Sequence, residues 1–260
     1  MSSNYKFKIA PHIVFTDPHL PWERPISEND SDVDNVTPWL AVFPFDVNNP
    51  TTPELRLSDP QLADVKLALG LPDTAKPGPA FSISTTIQNF LALPTQMTAK
   101  AKNGTVVHIP DYSKDSQYTD LQSDTTPIEV IFMTSKLFQD LFCINGVPNA
   151  DQFRYCAHIR NINTTGITGA GTTDTGLYSV VMSKRSGPYD IAVASPPRSQ
   201  AVHLLSLEFI SSLVNLGSND LVAFVSLYKW TYLCQPPLSV NFIDGMYSPG
   251  NERQRHAADP

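Results

Sequence analysis

The chain has 260 residues, 41% hydrophobic and 10% aromatic, enough apolar material for a sizeable core in one large domain or two small ones. Its net charge is −7, and its 18 basic residues are scattered, with no run longer than Lys184-Arg185. That distribution argues against nucleic acid and anionic membrane surfaces, and no run of eighteen apolar residues exists to span a bilayer.

Only 17% of residues are charged, against roughly 25% in ordinary soluble domains. Either uncharged Ser, Thr, Asn and Pro solvate the surface, or another chain covers part of it. Cys143, Cys156 and Cys234 show no CxxC spacing, which fits neither a disulfide framework nor a zinc knuckle. Residues 1–9 lack the apolar run of a secretion signal, so reduced thiols in the cytoplasm are expected.

The 23 prolines punctuate the chain and predict many short elements joined by long ordered loops. Tyr5, Phe7, Ile9, Ile13 and Phe15 keep one parity while Lys6, Lys8 and His12 keep the other, which reads as a strand, bent or at an edge because of Pro11. A polar loop over 16–37 precedes an interior strand at 39–45. A helix follows, with Asp59 as its cap, Pro60 in its first turn and Gly70 as its stop. A shorter helix is expected at 86–93 and strands at 105–109 and 128–133. Thr134 or Ser135 then caps a helix that turns Leu137, Phe138, Leu141 and Phe142 inward.

Further strands are expected at 153–162, 177–182, 191–194 and 201–206, and a helix at 207–216 with Ser206 as its cap. The run 221–233 is rich in Val, Phe, Tyr and Trp, which favours a strand over a helix. Strands outnumber helices without alternating with them, so the expected class is α+β, β-rich, in a single domain over 1–247 with a polar tail at 248–260.

Several short stretches stand out together: Leu20-Pro21-Trp22-Glu23-Arg24, Thr37-Pro38-Trp39-Leu40-Ala41, Ala157-His158-Ile159-Arg160 and His203-Leu204-Leu205-Ser206-Leu207-Glu208. In these the chain resembles an uncharacterised group of fungal and bacterial proteins in which such a segment opens a much longer chain. The resemblance implies a domain of a larger product, or a stand-alone relative of one, and carries no activity, cofactor or catalytic residue with it.

Motifs with a defined chemistry are missing or incomplete. The Gly-rich loop Gly166-Ile-Thr-Gly-Ala-Gly has no Lys after it and is followed by a strand rather than a helix, so it reads as a hairpin connection. There is no nucleophile elbow and no zincin or EF-hand pattern. His12, Asp17 and His19 lie at the wrong spacing for a strand-borne metal triad, so neither metal nor cofactor is expected. Trp22 and Arg24 are residue types that dominate binding hot spots; they serve either as a partner-binding anchor or as a fold-back over the core.

The remaining constellation is built from strands. Period-two geometry puts His158 and Arg160 on one face of 153–162, and His203 on the strand at 201. If those strands are neighbours, His158, Arg160 and His203 converge, with Glu208 at the start of the next helix. Imidazoles would move protons there and the guanidinium would hold a carboxylate or enolate. The same residues also fit a solvated strand face and a helix dipole. Two functions follow: a non-catalytic structural or interaction module with a protein partner or self-association, or a cofactor-independent isomerase, cyclase or lyase that takes a small organic ligand.

Overall fold

Long runs of Val, Ile, Phe and Leu set strands at the centre of the protein. The computed structural model describes residues 11–24, 26, 37–47, 49, 53–78, 80–163, 175–188, 191 and 195–236. Among them the strands are β1 (His12–Phe15), β2 (Leu40–Asp46), β3 (Ser82–Thr86), β4 (Val107–His108), β5 (Pro127–Thr134), β6 (Cys143–Ile144), β7 (Val147–Pro148), β8 (Ala157–Asn163), β9 (Thr175–Met182), β10 (Arg198–Ser206) and β11 (Leu221–Cys234). The helices are α1 (Asp59–Leu69), α2 (Ile87–Lys100), α3 (Tyr118–Leu121) and α4 (Ser135–Phe142).

The main sheet runs in the order β2-β10-β11-β5-β3, with β4 beside the first residues of β11. Its pairings are antiparallel except the short β4–β11 contact. A second antiparallel sheet has the order β1-β9-β8. β6 and β7 form a small hairpin that turns through Asn145 and Gly146, both at positive φ, as a two-residue turn requires. The architecture is α+β and β-rich, as the pattern of elements predicts. Among the described residues no helix is long and apolar enough to cross a membrane.

Alternation along β11 builds two cores, one on each side of the main sheet. Val222 and Phe224 face Ile131, Met133, Phe43 and the α4 residues Phe138 and Phe142. Leu221 and Ala223 face Val130, Phe132 and the helical residues Val65, Phe90, Leu93 and Met97. In the first core the Phe142 ring lies 4.7 Å from Phe43 and 5.3 Å from Phe224, close enough for each pair to add about 1 kcal/mol beyond area burial.

Several expected boundaries move for local reasons. Ser58, not Asp59, caps α1: its hydroxyl accepts from the Gln61 amide while the Gln61 side chain accepts from the Ser58 amide. α2 does not stop at residue 93. It continues through Pro94, with Phe90, Leu93 and Met97 buried, and the Thr98 hydroxyl bonds the Pro94 carbonyl at 3.1 Å. Residues 150–156 are a 3-10 turn and a bend, so β8 begins only at Ala157. No helix follows β10. Phe209 adopts φ 54° and the chain makes a single 3-10 turn, Ile210–Ser212. The Gly-rich loop, residues 5–9, most of 191–194 and the tail 248–260 lie outside the described residues.

Buried Asp64 ties α1 to the turn after α2. Its carboxylate accepts from the amides of Lys102 and Asn103 at 2.8 and 3.1 Å and from the Asn103 side chain at 3.0 Å. Burial pushes its pKa up, but the bonds from Lys102, Thr105 and Asn103 outweigh burial and leave it below the ordinary value. A depressed folded-state pKa adds stability above the unfolded value near ~4, and that stability is lost as pH falls through the folded value. Asp64→Ala is expected to cost about 2–3 kcal/mol in urea unfolding at neutral pH, with the difference shrinking in acid.

Candidate functional site

His203 sits at the middle of β10, between Phe43 on β2 and Lys229 on β11. It is wholly buried, and both ring nitrogens are engaged: Nδ1 lies 2.8 Å from the Ser226 hydroxyl and Nε2 lies 2.7 Å from the Ala80 carbonyl. A carbonyl only accepts, so Nε2 carries the proton and Nδ1 accepts from Ser226. Burial is the main cause that lowers the imidazole pKa, to about 4, and the Lys229 charge acts in the same direction. His203 is therefore neutral at pH 7.

Ser226 reaches this face because β11 carries one extra residue. The register shifts between Leu204 and Leu205, leaving Leu227 unmatched, so Ser226 and Lys229 fall on the same side of the strand although they are three apart. Lys229 pairs with Glu129 on β5 at 2.8 Å and donates to the Ser82 hydroxyl at 2.6 Å. Burial raises the Glu129 carboxyl, and the bonds from Lys229 and Ser82 outweigh it, so the group is held as carboxylate. The turn that brings Ala80 to His203 runs from Gly78 to Phe81, and Phe81 adopts φ 58°. Gly78 and Phe81 also line an open cleft of about 500 Å³ with Leu62, Lys66, Asp73 and Pro77; neither His203 nor Ser226 lines it.

A second cluster holds Glu208 and Arg24. Glu208 is buried, accepts from the Ser206 hydroxyl at 2.8 Å, and pairs with the Arg24 guanidinium at 3.2 Å. Burial raises its pKa, against the bonds from Ser206 and Arg24. The Arg24 guanidinium also lies 5.5 Å from the Trp39 ring centre, and the Trp39 indole donates to the Leu20 carbonyl. Trp22 packs against the first core. The segment 20–24 is thus fastened to Trp39, just before β2, and to Glu208, with the Arg24 side chain about half exposed.

The expected cluster of His158, Arg160 and His203 needs correcting. His158 and Arg160 do share a face, and Arg160 Nε donates to His158 Nε2 at 2.8 Å. Partial burial, then the Arg160 charge, lowers the His158 pKa. However, β8 pairs with β9 in the three-stranded sheet, while β10 lies between β2 and β11 in the main one. The two strands are not neighbours, so adjacency does not bring His203 to the other two. Glu208 joins Arg24 instead, and it lies in an irregular turn rather than at a helix start.

Ser226, Lys229, Glu129 and Ser82 were not visible as a group in the sequence, because period-two reading puts Ser226 and Lys229 on opposite faces. Among the described residues no three His, Cys, Asp or Glu side chains are grouped to hold a metal. Cys143, Cys156 and Cys234 are free of disulfides. Compared with known protein families, characterised proteins and solved structures, the chain matches none.

Two measurements follow from this geometry. His203 has a folded-state pKa below its unfolded value near ~6.5, so the unfolded chain binds the extra proton between those values. Stability should be fully present above the unfolded value and fall by about 3 kcal/mol as pH drops to about 4. His203→Gln should flatten that part of the profile. Arg24→Ala should cost about 1–2 kcal/mol and raise the Glu208 carboxyl further, seen as an upward displacement of its titration by carbonyl-labelled NMR.

Proposed function

We propose that this chain is a non-catalytic structural and interaction module that contacts a protein partner. The observation that carries the reading is that its wholly buried histidine, His203, is engaged on both ring nitrogens within the fold. Glu208 is held through one oxygen, Oε2, by Ser206 and Arg24, and His158 accepts from Arg160 through Nε2. A general acid or base must have a free position for substrate, and both nitrogens of His203 are tied to the fold.

Apolar side chains meanwhile stand in solvent around β8, the outer strand of the smaller sheet. Tyr155 is 88% exposed, and Ile159 and Leu177 are about half exposed. Arg154 lies beside them, its guanidinium 5.8 Å from the Tyr155 ring centre. Exposed apolar side chains with an arginine beside them suit a protein partner that presents apolar groups and a carboxylate. The resemblance to segments that open longer chains accords with such a role.

An isomerase, cyclase or lyase would need His158, Arg160 and His203 around one substrate, which strands in separate sheets do not favour. The hydroxyl–imidazole pair of Ser226 and His203 supplies the decisive test. Incubation with a fluorophosphonate is expected to leave Ser226 unmodified in the folded protein. Stoichiometric labelling that disappears in His203→Gln would make this an enzyme.

A further inference from the structure

The sequence holds two Asn-Gly pairs, Asn103-Gly104 and Asn145-Gly146. Such a pair carries its own reaction. The amide nitrogen of the glycine can attack the side-chain carbonyl of the asparagine, because no side chain on the glycine stands in the way. The two glycines here do not differ: both have positive φ, and nothing lies within 4 Å of where a Cβ would stand on either. Their asparagines are held quite differently.

Asn103 is clamped. Its backbone amide donates to Asp64 Oδ2 at 3.1 Å, and its side-chain amide donates to Asp64 Oδ1 at 3.0 Å and to the Pro60 carbonyl at 3.3 Å. Swinging the Asn103 side-chain carbonyl towards the Gly104 nitrogen breaks both side-chain bonds and takes a donor from the buried Asp64 carboxylate. Asn145, in contrast, stands at the tip of the β6–β7 hairpin, exposed together with Ile144, Gly146 and Val147. Among the described residues no hydrogen bond holds its side chain. The hairpin itself is slight. It bridges Cys143 to Pro148 and Ile144 to Val147, and Pro148 has no N–H to give, so the tip opens at little cost.

We propose that Asn145 is a site of spontaneous deamidation, and that the Asp64 clamp protects Asn103 from the same reaction. The Gly146 nitrogen bonds to Cγ of Asn145, the Cγ–Nδ2 bond breaks, and ammonia leaves with the proton of the Gly146 amide. Water then opens the cyclic imide. Its attack at Cγ gives aspartate, and its attack at the backbone carbonyl gives isoaspartate, in which the main chain runs through the side-chain carbons. Either product sets a carboxylate between two exposed apolar residues, Ile144 and Val147. Isoaspartate also lengthens the backbone of the turn, which a two-residue connection does not accommodate. This site is separate from the β8 partner surface and stands or falls independently of it.

Peptide mapping by mass spectrometry, with enzymatic methylation to report isoaspartate, tests it on the full chain held folded at mildly alkaline pH. Asn145 is expected to convert at least about 10-fold faster than Asn103, because only Asn103 must first leave a bonded network. In urea the two rates should converge. Asp64→Ala, checked for folding by circular dichroism, should raise the Asn103 rate towards that of Asn145 and leave the Asn145 rate unchanged. The wild-type comparison does not depend on that variant. Equal rates in the folded wild type, or an Asn145 that persists while the urea-unfolded chain converts, overturns the inference. A gap that survives in urea also overturns it, since sequence neighbours and not the fold would then set the difference. So does an Asn103 that stays protected in folded Asp64→Ala.

Discussion

Burying an imidazole in the middle of β10 takes it out of water, and two hydrogen bonds must replace what water supplied. Much of the surrounding geometry answers that requirement. The extra residue in β11 turns Ser226 towards Nδ1, and the Gly78–Phe81 turn lowers the Ala80 carbonyl onto Nε2. Phe81 takes up a left-handed conformation unusual for an aromatic residue, and the anchored turn holds it there. One polar side chain thereby connects β10, β11 and the segment leading into β3. Its neutrality follows from the same burial, since a charge so placed would have only Glu129 to offset it against Lys229.

The scarce charges work in the same way. Arg24 reaches Glu208 across 184 residues, Arg185 reaches Glu54 across 131, and Arg198 pairs with Asp46. Asp64 gathers amides from the turn after α2. The Arg24 and Arg185 pairs join irregular segments to one another, Arg198–Asp46 joins β10 to β2, and Asp64 fastens the turn after α2 to α1, which suits a chain with long proline-punctuated connections. His203, Glu208 and Asp64 are occupied by holding the fold, while Tyr155, Ile159, Leu177, Tyr228 and Leu233 remain at the surface. That division of labour is the basis of the proposed interaction role.

Local patterns were readable where a local rule decides the outcome. α4 begins after Thr134 because the threonine hydroxyl caps it by accepting from the Leu137 amide, and Pro127–Thr134 is extended because its side chains, Glu129 apart, are β-branched or apolar on both faces. Reading failed where packing overrode the rule. Pro94 would ordinarily end α2, yet the buried face of Phe90, Leu93 and Met97 carries the helix past it. The segment after Ser206 has helical spacing, but Glu208 folds back onto Ser206 and Arg24, and Phe209 leaves the helical region.

The sequence by itself determined the α+β class, most strands, and the shared face of His158 and Arg160, because strand alternation and helix caps depend on residues close together in the chain. Only the tertiary structure decided which strands are neighbours. It separated β8 from β10, matched Arg24 to Glu208, and placed Ser226 beside His203 through a one-residue shift in register. Pairing between distant strands depends on the whole packed arrangement, and no local periodicity encodes it.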